Sequence, residues 1–356
     1  LRLSLYFPIS ISLSLSLEAM ASFIATTTPA MPAFASVLDP KIPTKPEPKT
    51  ETPKPKDDLE RFRTSEVVLE RKSKGFWRRK WNPRDIQNAV TLLVLHALAA
   101  MAPFYFSWDA FWISFILLGF ASGVLGITLC FHRCLTHGGF KLPKLVEYFF
   151  AYCGSLALQG DPMEWVSNHR YHHQFVDTER DVHSPTQGFW FCHIGWVLDK
   201  DLFVEKRGGR RNNVNDLKKQ AFYRFLQKTY MYHQLALIAL LYYVGGFPYI
   251  VWGMGFRLVF MFHSTFAINS VCHKWGGRPW NTGDLSTNNM FVALCAFGEG
   301  WHNNHHAFEQ SARHGLEWWQ IDVTWYVIRT LQAIGLATNV KLPTEAQKQK
   351  LKAKSA

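Results

Sequence analysis

No two of the six cysteines in this 356-residue chain form a CxxC pair. Cys130, Cys134, Cys153, Cys192, Cys272 and Cys295 all lie in apolar or His-rich stretches, which excludes a disulfide framework and leaves reduced thiols as packing residues. Acidic residues are scarce: Asp and Glu number 27 against 39 Lys and Arg, a formal charge of +12. No nucleic-acid-binding motif accompanies this basic excess, so a nucleic-acid partner is not expected, and contact with an anionic membrane surface accounts for it more simply. The mean hydropathy of −0.08 averages very unlike regions.

The first nineteen residues, LRLSLYFPISISLSLSLEA, alternate Leu and Ser as a translated CT dinucleotide repeat would. Met20 is therefore the expected start, and a peptide detected from upstream of it would argue otherwise. A signal peptide fits poorly, given Glu18 and a weak cationic lead. MASFIATTTPAMPAFASVL, from Met20, is rich in Ala, Thr and Ser and holds no acid, like the start of a plastid transit peptide that lacks Arg. The Pro/Lys/Glu stretch that follows, DPKIPTKPEPKTETPKPKDD, cannot bury a core and is expected to be an extended linker. Residues 1–75 thus read as untranslated-region read-through, targeting segment and linker. Residues 76–343 read as a membrane domain, and 344–356 as a basic tail.

Two apolar runs, 88–106 and 111–130, each have the length of a bilayer-crossing helix, with only SWDA between them. A second apolar block from Tyr230 to Ser270, interrupted at GGFPY, is long enough for two more crossings. Its second half carries Arg257 and His263, polar groups expected to face protein or a cavity. The two short connections contain no Lys or Arg, whereas RKSKGFWRRKWNPR and EKRGGRRNNVNDLKK precede the first and third runs. The positive-inside rule then puts both termini and the central loop on the cytosolic or stromal side. The shorter stretch 145–160 contains Glu147 and reads as interfacial or packed under the soluble part.

Three histidine clusters stand out. FHRCLTH gives His132 and His137, NHRYHH gives His169, His172 and His173, and WHNNHH gives His302, His305 and His306. Positions i, i+3 and i+4 share one face of an α-helix, so each HxxHH box is expected to aim three imidazoles at one point, as a transition metal requires. Five residues advance an α-helix by about 140° net, so His137 is expected beyond the helix end, where Gly138 and Gly139 permit a turn. An even number of crossings separates the first two clusters from the third, which returns all eight histidines to one membrane face. His273 in NSVCH is a ninth candidate, with Asn269 one helical turn before it.

His183 reads as supporting the site, while His96, His193, His233, His263 and His314 stand isolated in the sequence. Eight or nine imidazoles are too many for one structural zinc, so two metals with open positions fit better. A redox reaction at the membrane face favours iron. Asp177 and Asp181 are placed to accept N–H bonds from ligand histidines, the alternative being a solvated charged loop.

The order HxxxxH, HxxHH, HxxHH around four apolar runs resembles the membrane-bound fatty acyl desaturases, from about residue 77 onward. FHRCLTHGGFKLP, HRYHHQFVDTERD, FGEGWHNNHHAFE and ARHGLEWWQIDVTWY resemble the plant branch of the Δ9-type family. That resemblance implies an all-α integral membrane protein: four transmembrane helices in two hairpins, with a cytosolic or stromal His-rich helical cap holding a di-iron site. It further implies iron held by His132, His137, His169, His172, His173, His273, His302, His305 and His306, with Asn269 acting through water. Val182 stands where the family usually has Pro in DPHSP.

The implied reaction uses O2 and two electrons to place a cis double bond in a saturated 16- or 18-carbon chain. No flavin motif or haem-binding cytochrome b5 domain is present, so electrons come from an external carrier. The plastid-like N-terminus favours ferredoxin and Δ7 desaturation of palmitate on a plastid glycerolipid. The alternative is a Δ9 acyl-CoA desaturase of the endoplasmic reticulum working with cytochrome b5. A di-iron hydroxylase shares the boxes but matches their surroundings less well. A metal transporter would carry its ligands near the bilayer midplane.

Overall fold

The computed structural model describes residues 79–207 and 212–352. The expected start at Met20, the targeting segment and the linker lie outside the described residues, as do 208–211 and the last four residues of the basic tail. Among the described residues the fold is helical, with four isolated β-bridges and no strand.

Helix α1 (Pro83–Ala100) starts at a capping box: the Asn82 side chain accepts from the Asp85 N–H, and Asp85 reaches back to Asn82 N. Pro83 at the first helical position loses nothing by lacking an N–H. Buried Asp85 also takes Arg79 Nη1 at 2.6 Å and the Lys200 N–H, which ties the helix start to the central loop. A short turn leads to Ser107, whose hydroxyl caps α2 (Trp108–Thr136). Most of α2 is wound with the wider i→i+5 repeat.

Helix α3 (Lys144–Ser155) packs along α2. The contact is close because it is made by glycines: a Cβ on Gly126 would sit 2.3 Å from the Gly154 backbone. Helices α4 (Pro162–Phe175), α5 (Phe189–His193) and α6 (Lys200–Lys206) form the central loop region.

The long apolar α7 (Ala221–Ser270) breaks at Gly246, whose φ of +66° only glycine adopts easily, two residues before Pro248. Its two arms fold back on each other, with Leu241 against Gly253, while Gly255 meets Leu98 of α1. By length and composition α2 and α7 qualify for crossing a bilayer. Large apolar side chains point outward from α1 and α7, with Leu93 70% and Tyr243 89% exposed, a surface suited to lipid.

Beyond α7 the chain forms α8 (Met290–Cys295), α9 (His302–Ala307) and α10 (Val323–Ala333). Buried Arg133 joins this region to the end of α2. Its Nε donates to Glu299 at 3.0 Å, its two Nη groups grip Asp322 at 2.9 Å each, and Nη1 also donates to Ala312 O.

Gly126→Val should drive a branched side chain into the α3 backbone. The expected result is a loss of about 1–3 kcal/mol, read as a lower Tm for the purified protein in detergent.

Candidate metal centre

Each cluster sits where local chemistry starts or ends a helix. Asp161 caps α4 by accepting the Met163 and Glu164 N–H groups, and the helix then presents His169, His172 and His173. His132 lies in the last turn of α2. His137 is the first residue past that helix, followed by Gly138 at φ +58°, as its spacing predicts. One premise needs correction. The His137 N–H bonds to His132 O at 3.2 Å, an i→i+5 contact that makes residues five apart neighbours on one turn. The two rings are 4.9 Å apart, centre to centre, on the same side.

The nine expected histidines converge in two groups. One holds His132, His137, His169, His173 and His305, and the other His172, His273, His302 and His306. The expectation that each HxxHH box aims at one point is therefore wrong. In both boxes the first and third histidines enter one group and the middle histidine enters the other. An α-helix explains the split: i+4 lies about 40° past i, while i+3 falls about 60° short of it, on the opposite side. The boxes are interlaced, since His169 and His173 serve the five-histidine group and His302 and His306 the four-histidine group.

The Nε2 atoms crowd together. His305 lies 3.1 Å from His132 and 3.0 Å from His173, and His173 is 3.2 Å from His169. In the second group His302 is 3.0 Å from both His273 and His306. On the outer side, Nδ1 atoms face carboxylates: His132 to Glu299 at 2.6 Å, His172 to Asp181 at 2.9 Å, and His273 to Asp177 at 2.9 Å. His306 pairs with Asp284 at 2.9 Å and His173 with Glu309 at 3.3 Å.

A neutral imidazole has one N–H, and at His172 and His306 the carboxylate accepts it, so Nε2 there turns an electron pair inward. Electron pairs 3 Å apart repel unless a cation lies between them. Nitrogens about 2.1 Å from a common ion and at roughly right angles stand about 3 Å apart. The donor set fits metal, and the buried His137 Nε2 has no other partner.

Burial pushes His137, His169, His302, His305 and His306 well below the usual histidine range, which keeps them neutral and able to bind metal. His172 is the exception. Burial opposes its charge, but the Asp181 carboxylate outweighs burial and raises its pKa. Burial lowers His183 to about 3.

Asp177 and Asp181 do face ligand-type histidines. Asp181 also accepts the Asp177 and His183 N–H groups, and Asp177 that of Leu285. His183 Nδ1 lies 3.6 Å from Asp181, with its ring 4.4 Å from that of His172. Val182 is 1% exposed and packs with Tyr171, Phe175 and Phe203, so the departure from Pro fills a small apolar core. Asn269 lines a cavity shared with His169 and His302.

Sequence reading missed Asp284, Glu299 and Glu309. Glu299 and Glu309 each stand three residues outside the HNNHH run, a legible signal, whereas Asp284 reaches His306 from a loop. His314, isolated in the sequence, lies 3.1 Å from Glu299. His233 bonds only to Thr229 of its own helix.

A cleft of about 330 Å³ runs from Gln87, Glu164 and Lys200 to His169, His183 and Asn269. A smaller apolar cavity continues past these histidines, lined by Gly123, Ile127, Phe260 and Met261.

A sequence profile described as "Fatty acid desaturase" matches residues 106–338. The chain is 99% identical over 356 residues, all of both chains, to the icosanoyl-CoA 5-desaturase of Limnanthes douglasii. It is 58% identical over 295 residues to the chloroplastic palmitoyl-monogalactosyldiacylglycerol delta-7 desaturase of Arabidopsis thaliana, covering 83% of this chain and 79% of that one. It is 56% identical over 297 residues to the acyl-CoA C20 Delta5-desaturase of Anemone leveillei, covering 83% and 95%.

Asp181→Asn should weaken metal retention about 10–100-fold with the fold intact, read as metal per chain after graded chelation. His305→Ala should lower the bound metal further, because it removes a ligand instead of its orienting partner.

Proposed function

This chain belongs to the fatty acid desaturase family, and from that premise we propose that it is an acyl-CoA desaturase that introduces the Δ5 double bond of icosanoyl-CoA. The observation that carries the substrate is the 99% identity, along the whole chain, to an enzyme of that name. This reading displaces Δ7 desaturation of a plastid glycerolipid and the 16- or 18-carbon chain expected with it. It agrees with the acyl-CoA alternative while moving the bond from Δ9 to Δ5. With acyl-CoA as substrate, the endoplasmic reticulum is the natural membrane and cytochrome b5 the natural electron donor.

The nine histidines are proposed to hold two irons, with Asn269 acting through water. Bound iron supplies the O2-dependent oxidation of an unactivated methylene pair. The protein's part is placement. Lys200, Glu164 and Gln87 form a polar mouth for the head group. The apolar cavity beyond Trp165 takes the chain, whose hydrocarbon surface is driven there by exclusion from water. A Δ5 bond sets the thioester four carbons nearer the metals than a Δ9 bond would. Four crossings, made by α1, α2 and the two arms of α7, bring all three histidine clusters to one membrane face. The outward apolar residues of α1 and α7 support that topology.

Microsomes from yeast expressing the chain, supplied with NADH, cytochrome b5 and icosanoyl-CoA, should yield a 20:1 product whose bond is mapped to Δ5 by mass spectrometry. A product formed only on galactolipid with ferredoxin, with its bond at Δ7, would overturn the reading.

A further inference from the structure

Three histidines that stand isolated in the sequence meet beside the 330 Å³ cleft. His96 of α1, His263 of the second arm of α7 and His193 of α5 form a hydrogen-bonded file. His96 Nε2 lies 3.0 Å from His263 Nε2, and His263 Nδ1 lies 3.0 Å from His193 Nε2. The ends are fixed as well. His96 Nδ1 is 2.7 Å from the Leu92 carbonyl, and His193 Nδ1 is 2.9 Å from Ser270 Oγ, itself 2.7 Å from the Phe266 carbonyl.

These contacts allow a proton count. Five contacts need five hydrogens. Three neutral imidazoles and one hydroxyl provide four. Every contact is filled only when one imidazole carries a second proton. When all three are neutral, every N–H can point the same way, toward Leu92, with Ser270 donating to His193 and the Phe266 carbonyl left without its donor. The file therefore has a protonated state that fills all five contacts and a neutral state that fills four, and in this arrangement the two differ by one proton and one hydroxyl rotation. A metal does not fit, because His96 and His193 address opposite nitrogens of His263 and share no common point. The side chains around the file are aromatic: Phe189 stacks on His193, Trp190 meets its edge, and Phe266 packs against His193 and His263.

Its position gives the file a use. Leu92 and Phe266, whose carbonyls end it, line the 330 Å³ cleft that leads to the acyl cavity, and Ser270 follows Asn269, which lines the same cleft beside His169. We propose that His96, His263 and His193 form a proton relay that holds one proton at the cavity wall and passes it toward the metal centre. The proposal rests on the desaturase reading. Each turnover breaks two C–H bonds and the O–O bond, forms one C=C bond and four O–H bonds, and takes two electrons from the external carrier. Two of the four hydrogens in the product waters come from the chain and two arrive as protons, so a proton supply is required.

Two measurements on the membrane-embedded full chain test this. Infrared difference spectra of the wild type should show a broad band from the shared N–H–N proton that His263→Phe abolishes. Absence of the band in the wild type would overturn the relay whatever the substrate proves to be. His263→Gly should keep its iron and slow desaturation at least about tenfold, on whichever acyl substrate the wild type uses, and added imidazole should restore the rate. Full turnover without imidazole, or loss of iron, would reduce the file to a structural clasp.

Discussion

One buried guanidinium connects the parts that must be in register. Arg133 is fully buried, adjacent in sequence to His132, and bonded to Glu299 and Asp322. Glu299 in turn faces the imidazoles of His132 and His314. Asp322 caps α10 through the Trp325 N–H and accepts the backbone N–H of His314 and Gly315. A planar donor fork matches two carboxylates at once, which an ammonium could not do. The end of the apolar α2 and the loop leading into α9 are thereby held at one distance, and the third histidine cluster faces the first. A buried ion pair is a weak source of net stability once desolvation is counted. What this one provides is alignment.

The histidine centre works by separating proton from electron pair. Carboxylates stand outside five of the nine rings, and burial holds most of the rings neutral, so that inward nitrogens can act as bases. Such a cavity is unfavourable when empty and strongly attractive to a cation. The surrounding carboxylates of Asp177, Asp181, Asp284, Glu299 and Glu309 also supply the negative charge that two divalent ions would require. Orientation and charge balance thus come from the same residues.

Much of this was legible in the sequence because it is local. The boxes, the apolar runs and the break near GGFPY depend on residues close together in the chain. The partnership of Asp181 with His172 spans nine residues and was within reach. Asp284 was not, since its approach to His306 depends on how the 274–289 loop returns. The contacts among His96, His193 and His263 were invisible for the same reason: three elements far apart in sequence create them. The i→i+5 winding of α2 also escaped, because the spacing argument assumed an α-helix, and the wider winding is what lets HxxxxH act as a pair. The substrate expectation rested on a different kind of signal. A plastid-like leader says nothing about the cavity that Met261 and Phe297 line.

The interlacing of the two HxxHH boxes has a consequence for assembly. Neither five-residue segment can settle around one ion without also committing a ligand to the other. Helices α4 and α9 therefore behave as the two halves of a single clasp, and the half-filled state is penalised on both sides of the gap. Occupancy should rise cooperatively, passing from empty to paired with little of the single-ion species between. If the ions are the irons proposed above, the pairing would keep a lone redox ion from standing in an open imidazole cage.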